Sequence, residues 1–301
     1  MTDYHLHLHP HEEVPGAPPP GVYPPGYIDR YVEVALSCGV TEIGFTEHLY
    51  RCVESEDALG RWWERDRHAP PHVVAEMAEV VRAERNLSLH RYADVVLDAK
   101  ARGLPVKLGL EVDFEPGTEQ AVLDLIAPYP WDFLIGSVHW IGAWEFTREG
   151  APAEFARRGV EVAWRQYFEL ETVLASSGMV DVLAHPDVIK KWGIRPAAAA
   201  LVELYPPVVA AAVASGTAIE VSSSGLRRQS AEIYPAPAFL AMFSGAGVAI
   251  TLASDGHVPD QAAWGHDIVV TAARAAGYTD HVRFDLRRRI PSALAKGRRN
   301  Q

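Results

Sequence analysis

The chain has 301 residues, 48% of them hydrophobic, and a formal net charge of -11 from 28 basic and 39 acidic side chains. That composition excludes a disordered or collagen-like chain, and the acidic balance argues against nucleic-acid phosphate as the main partner. A small phosphorylated substrate held by a few local cations remains compatible with it. The 13 histidines set the question. Imidazole is the commonest metal ligand and carries protons near neutral pH, so its placement decides the reading.

Short apolar or β-branched runs predict strands over residues 3–7, 42–46, 106–112, 133–138, 180–184, 218–221 and 248–253. Between them, helical periodicity covers 27–37, 73–102, 118–127, 154–177, 196–215 and 236–244. Gly39, Gly103, Gly178, Gly216 and Gly245 follow these patterns, where a left-handed cap is expected. Pro206 and Pro207 should break or kink the fifth helix. Strands alternating with helices imply βαβ units and a parallel sheet. Seven such units without a composition shift favour one closed barrel, a distorted α/β (β/α)7 TIM-like barrel, over an open doubly wound sheet. The whole chain, 1–301, therefore reads as a single domain. VPGAPPPGVYPPG (14–26) reads as a rim loop or lid directly after the first strand, and AKGRRNQ as a solvated tail.

Cys38 and Cys52 form no C-x-x-C pair and are too few for a disulfide framework. They are expected as small buried hydrophobes in a reducing compartment. MTDYHLHLHPH lacks a basic stretch followed by an apolar one, so it does not read as a secretory signal. The longest apolar stretches fall short of the ~20 residues of a membrane span. The expectation is a cytoplasmic protein with no membrane partner; self-association into a homo-oligomer stays open.

The polar residues at strand ends carry the chemistry. DYHLHLHPHEE places His5, His7, His9 and His11 after or within the first strand, where residues two apart share a face. GFTEHLY supplies Glu47 and His48, GLEVDFEPG supplies Glu111, and IGSVHW supplies His139. VLAHPD supplies His185 and Asp187, and TLASDGH supplies Asp255 and His257. A lone histidine on an alternating strand is most simply a polar face residue. Repetition of the same form at each strand end points instead to one site, because the C-terminal ends of parallel barrel strands open on one face. His68, His72, His90, His266 and His281 show no such placement and read as surface or structural residues.

Histidine with carboxylate and no thiolate suits Zn, Fe or Mn. So many donors exceed what one ion takes, which implies two or three divalent transition metal ions. Clustered divalent ions clamp a phosphoryl group during in-line displacement. No HExxH, GxxxxGK[ST] or GxGxxG occurs, and VSSSG lacks the first glycine of a nucleophile elbow. Arg227 and Arg228 follow the sixth strand on the same face, and the guanidinium fork matches phosphate oxygens. Lys190 and Lys191 after the HPD motif are weaker phosphate-binding candidates, and 287–289 reads as a solvated basic face.

With these residues in order, the chain resembles the PHP (polymerase and histidinol phosphatase) superfamily and, within it, the histidinol-phosphatase branch. The motifs are H-x-H at His5 and His7, T-[DE]-H at Thr46–Glu47–His48, and G-x-E at Gly109–Glu111. They continue with GSVH at Gly136–His139, H-x-D at His185 and SD-x-H at Ser254–His257. SSSGLRRQSAEIYPAPAFL and DFLIGSVHWIGAW are also similar to that branch. The resemblance, over about residues 3–260, implies a distorted (β/α)7 barrel with a trinuclear centre. It implies that His5, His7, Glu111 and Asp255 hold one ion, with Glu111 able to bridge to a second. His139 and His185 would complete the second site. A further histidine of the first motif, with His48 and His257, would serve the remaining positions. Related chains place that histidine about six residues after the second, which here lands on Glu13. His9 and His11 are the candidates, and His11 is preferred because His9 continues the strand alternation.

The implied reaction is hydrolysis of L-histidinol phosphate to L-histidinol and phosphate, in histidine biosynthesis. Asp255 or His257 would assist proton transfer, and Arg228, Arg227 and Lys190 would bind phosphate. The alternatives are a phosphoesterase for a nucleotide or sugar phosphate, and a non-catalytic metal-binding module. The nearly complete donor set speaks against the latter.

Overall fold

The computed structural model describes residues 1–11 and 14–294. Eleven strands are found among them: β1 (Thr2–Leu6), β2 (Glu42–Phe45), β3 (Val106–Asp113), β4 (Phe133–Ser137), β5 (Trp140–Ile141), β6 (Trp144–Glu145), β7 (Val182–Leu183), β8 (Ala218–Ser222), β9 (Ile250–Ala253), β10 (Asp280–Asp285) and β11 (Arg288–Ala293). The helices are α1 (Tyr27–Ser37), α2 (Glu56–Leu59), α3 (Pro71–Glu84), α4 (Leu89–Ala101), α5 (Glu119–Ile126), α6 (Ala151–Arg158), α7 (Val160–Ser177), α8 (Ala198–Ser215), α9 (Pro237–Gly245) and α10 (His266–Ala275). Seven parallel strands form one sheet in the order β1-β2-β3-β4-β7-β8-β9. A parallel bridge between Leu6 and Gly256 brings the first strand against the exit of the last, so the sheet nearly closes into the expected seven-stranded barrel.

All seven predicted strands form, the fifth shortened to two residues. The predicted helix over 73–102 is two helices. Residues 85–88 leave the helix because Leu87 pairs with the 51–53 segment and Ser88 caps α4, accepting from Arg91 N at 3.3 Å. Gly159, at φ 87°, divides the helix predicted over 154–177. Of the expected break or kink at Pro206 and Pro207, no break occurs: helix α8 runs continuously through both. Both prolines face solvent, where water can take the carbonyls they free. This helix is apolar enough in length and composition to cross a membrane, with a mean hydropathy of 1.6, and it packs on α7. Gly39, Gly103, Gly178 and Gly216 adopt positive φ as expected, but Gly245 stays helical and Gly247 (φ 75°) takes the left-handed position.

Two antiparallel hairpins were not apparent from the sequence, β5-β6 at the rim and β10-β11 at the opposite end. Val282 and Phe284 of β10 join Tyr4, Phe133, Ile135, Val182, Ala184 and Ala218 in a buried cluster that fills the barrel below the strand ends. The basic run 287–289 is exposed, as expected of a solvated face, and two of its arginines also tie this hairpin down. Arg287 Nε lies 2.6 Å from Asp181 Oδ2, and Arg289 donates to Asp181 O at 3.1 Å. Cys52 is buried as expected, whereas Cys38, at the C-terminal cap of α1, is exposed. The predicted tail, 295–301, and Glu13 lie outside the described residues.

The glycine of the G-x-E motif has a packing reason. A Cβ on Gly109 would lie 2.6 Å from the Phe133 ring, and one on Gly44 would lie 2.5 Å from it. Phe133 is fully buried and stacks on Tyr4 at 4.7 Å, so the ring cannot move aside cheaply. Gly109→Ala is expected to destabilise the fold by about 1–3 kcal/mol through overpacking. A thermal-unfolding midpoint unchanged from the parent protein would contradict this packing account.

Candidate active site

The strand exits bring the predicted donors together. In β1 the register against β2 shifts between Asp3 and Leu6, and within that irregularity both Tyr4 and His5 turn into the barrel. His5 Nε2 lies 3.1 Å from His7 Nε2, 3.1 Å from Glu111 Oε2 and 3.7 Å from Asp255 Oδ1. His7 Nε2 lies 3.4 Å from the same Glu111 oxygen and 3.6 Å from Asp255 Oδ1. His185 Nε2 and His139 Nε2 face Glu111 Oε1 at 3.3 and 3.5 Å. His48 Nδ1 is 3.1 Å from Glu111 Oε2, and its Nε2 is 3.1 Å from His11 Nε2. His257 stacks on His7 at 4.2 Å.

Among the described residues, four triplets of donors could each surround an ion, with ligand atoms within 4.8 Å of one another: His5, His7 and Asp255; His5, Glu111 and His185; His48, Asp113 and His139; and His7, His48 and His257. Two ligands on one tetrahedral zinc lie about 3.3 Å apart, given Zn–N bonds near 2.0–2.1 Å. The observed separations match that. Glu111 Oε1 and His257 Nε2 are buried and find no well-aligned hydrogen bond within the protein, as suits atoms whose lone pairs serve an ion. The residues fit a divalent metal.

Electrostatics agree with a tightly shared charge. Burial pushes the Glu111 carboxyl up, but His48, His5 and His185 hold it well below the usual carboxylate range. Burial likewise opposes ionisation of Asp255, and His5, His7 and His257 outweigh it. Burial lowers His5, yet Glu220, Glu111 and Asp255 hold it well above its ordinary value. His7 is held at about 8: burial lowers it, and hydrogen bonds to Asp255 and Glu47 raise it further. Burial and the His7 charge push His257 well below its ordinary value, so it is neutral at pH 7.

Two backbone positions carry strain. His185 has φ 28° and Asp255 φ 51°, in the left-handed region that side chains rarely adopt. Such outliers cost of order 1–3 kcal/mol and cluster at functional sites. Asp3 helps hold the second of them. Its carboxylate accepts from Ser254 N, Ser254 Oγ and Ala263 N at 2.8, 2.6 and 2.7 Å.

Two supporting residues, Glu220 and Asp113, were not singled out from the sequence, although signals existed. Glu220 accepts from His5 Nδ1 at 2.7 Å, and it was visible as the one charge inside an apolar strand. Asp113 accepts from His139 Nδ1 at 2.9 Å and from His48 Nδ1 at 3.1 Å; it lies two residues after Glu111, on the same face of β3. Glu47 accepts from the backbone of Leu8 and His9 at 2.8 and 3.0 Å. His9 is occupied at both ring nitrogens, by Glu47 Oε1 and Val22 O, each at 3.2 Å. His266 and His281 sit at the other end of β1, bonded to Thr2, and are structural.

A cavity of about 800 Å³ opens above the cluster. His11, His48, Glu111, His139, His185, Asp255 and His257 lie on its walls, with Val14 of the proline-rich segment at its edge. Arg228 is exposed on the rim, and Lys191 also lines the wall while donating to Thr147 O. Arg227 lines it too, but its guanidinium donates to the carbonyls of Ser254 and Asp255 at 2.6 and 3.0 Å and lies 5.1 Å over Trp264. Lys190 is a correction to the expected phosphate contacts. It is fully buried, away from the cavity, and its Nζ donates to Asp187, Glu232 and Ile233 O, each at 2.8 Å. Removing it leaves the fully buried Asp187 carboxylate without its cation, while Glu232 keeps Arg195 at 2.7 Å. Lys190→Ala should therefore cost about 3–5 kcal/mol of stability, while KM of the folded fraction stays near the parent value. A raised KM with unchanged unfolding would return Lys190 to the substrate.

A family model for the PHP domain matches residues 25–224. That stretch holds His48, Glu111, His139 and His185, and geometry ties to it the donors at either end of the chain. A protein of Deinococcus radiodurans named "probable histidinol-phosphatase" is 31% identical over 242 residues, covering 77% of this chain and 80% of that protein. A solved histidinol phosphate phosphatase from Lactococcus lactis, complexed with zinc, L-histidinol and phosphate, is 22% identical. It has a TM-score of 0.69 and covers 96% of this chain and 98% of its own.

Proposed function

This chain belongs to the PHP domain family, and on that premise we propose that it is a metal-dependent phosphomonoesterase that hydrolyses L-histidinol phosphate to L-histidinol and phosphate. One observation carries the reading. Histidines and carboxylates from separate strand ends converge in a buried cluster at the floor of a cavity, with an exposed arginine on its rim. The relatives named for the same activity support it.

We assign His5, His7, Glu111 and Asp255 to one ion, and Glu111, His139 and His185 to a second. His11, His48 and His257 take a third. Zinc, iron or manganese suits this nitrogen and oxygen set. Two or three such ions, when bound, stabilise charge on the phosphoryl oxygens and acidify water. The chain's own residues do the rest. Arg228 grips the phosphate oxygens. Arg227 holds the Ser254 and Asp255 carbonyls and thereby aims the Asp255 carboxylate. Water attacks phosphorus as the bond to the histidinol oxygen breaks. Asp255 takes the proton from water and passes one to the leaving alkoxide. His257 would hold its ion through Nε2, since its Nδ1 faces the Asp255 carbonyl at 3.2 Å, so the proton transfers fall to Asp255. Glu76 and Glu149 also line the cavity, beside the Glu145–Arg148 pair at 3.1 Å, and favour a cationic alcohol over a polyphosphate. We place the enzyme in the cytoplasm, acting on a small phosphate ester without nucleic-acid or membrane partners.

A phosphate-release screen over histidinol phosphate, sugar phosphates and nucleotides tests the assignment. Histidinol phosphate should give the highest kcat/KM, and chelation should abolish turnover. Equal turnover on all esters would remove the substrate assignment while keeping the chemistry.

The two arginines separate in kinetics. Arg228→Ala should raise KM by roughly 10- to 150-fold, the worth of a hydrogen bond to a charged group. Arg227→Ala should instead lower kcat, since it loosens Asp255. Unchanged constants for Arg228→Ala would remove it from the site.

A further inference from the structure

We propose that Glu84, the last residue of α3, is the positioning residue that makes His11 a metal ligand: it accepts from His11 Nδ1 and so presents His11 Nε2 to the ion shared with His48. This rests on the reading of the cluster as a metal centre.

His11 stands in the loop beyond β1, with 35% of its side chain exposed. An imbedded strand does not hold it, so something else must limit its rotamers. Arg51 brings the loop in, donating to His9 O at 2.9 Å and Pro10 O at 3.2 Å. Glu84 then fixes the ring, with Oε2 2.8 Å from His11 Nδ1. The opposite nitrogen, Nε2, faces His48 Nε2 at 3.1 Å. With the proton held on Nδ1 by a carboxylate, Nε2 offers a lone pair there. Two imidazole lone pairs at that separation repel unless a cation or proton lies between them.

Glu84 is itself built to accept. Its carboxylate is nearly buried and surrounded by donors from other elements. Arg148, before α6, pairs with Oε1. The Tyr50 hydroxyl donates to Oε2, and Arg51 Nε lies 3.9 Å away. The break between α3 and α4 ends the first helix where Glu84 turns inward. An outer carboxylate on a ligating imidazole fixes its tautomer and raises its basicity.

The test is metal titration of chelator-stripped protein with zinc, against a chromophoric competitor. The parent chain, His11→Ala, Glu84→Ala and the double variant are compared. Glu84→Ala should weaken one ion by about 10–100-fold, the usual effect of losing such a partner; His11→Ala should weaken the same ion at least as much, and both should leave the others near parent affinity. The double variant should bind no more weakly than His11→Ala, because both changes remove one interaction. If Glu84→Ala binds every ion as the parent does, or the two effects multiply, the proposal is overturned. If Glu84→Ala does not fold, Glu84→Gln decides on the same readout. Its amide has one acceptor oxygen for three donors, so one ion should loosen, and parent affinity for all ions would overturn the proposal. A parent chain that takes up no ion removes the metal centre itself, and this proposal with it.

Discussion

The Glu111 carboxylate, with no solvent exposure, lies among imidazoles from four segments of chain. His5, His7, His48, His139 and His185 all approach it within 3.1 to 3.5 Å. An isolated carboxylate at that depth would cost far more than the fold's net stability. It is tolerable only because positive charge, from protons or metal ions, surrounds it. The barrel supplies that surround. Each imidazole comes from the exit of a different parallel strand, or two residues along the same one, so strand order and register decide which nitrogens reach the carboxylate.

Around this node the protein spends further buried carboxylates on orientation. Glu220 holds His5, Asp113 holds His48 and His139, and Asp3 holds the loop that carries Asp255. Arg227 secures the same loop from the other side. The left-handed backbone at His185 and Asp255 is the cost of turning those side chains back over the strand ends, and the tight packing beneath them keeps the strain in place. The hairpin β10-β11 serves the same end from below, sealing the barrel so that its interior is packed up to the level of the donors.

Much of this was legible in the sequence, for an identifiable reason. Parallel strands collect their C-terminal ends on one face, so a histidine or acid after each apolar run has only one place to go. What was less legible depends on sidedness or on breaks in periodicity. Lys190 follows the HPD motif, yet a single 3-10 turn, Val188–Trp192, carries it inward to Asp187 and Glu232. Arg227 and Arg228 are adjacent, and only the turn geometry separates the clamp from the rim. Glu84 is one glutamate in a long helical pattern until the chain breaks after it. The β10-β11 hairpin escaped notice because its turn residues, Leu286 and Arg287, adopt positive φ without glycine or asparagine to announce it.

In the proposed centre, Glu111 joins ions held by different strand ends. An anomalous-difference map from crystals grown with zinc tests it most directly. A peak is expected near each Glu111 oxygen, at about 2.0–2.2 Å, with His5, His7 and Asp255 around one and His139 and His185 around the other. Peaks that engage these histidines while leaving Glu111 uncoordinated would contradict it.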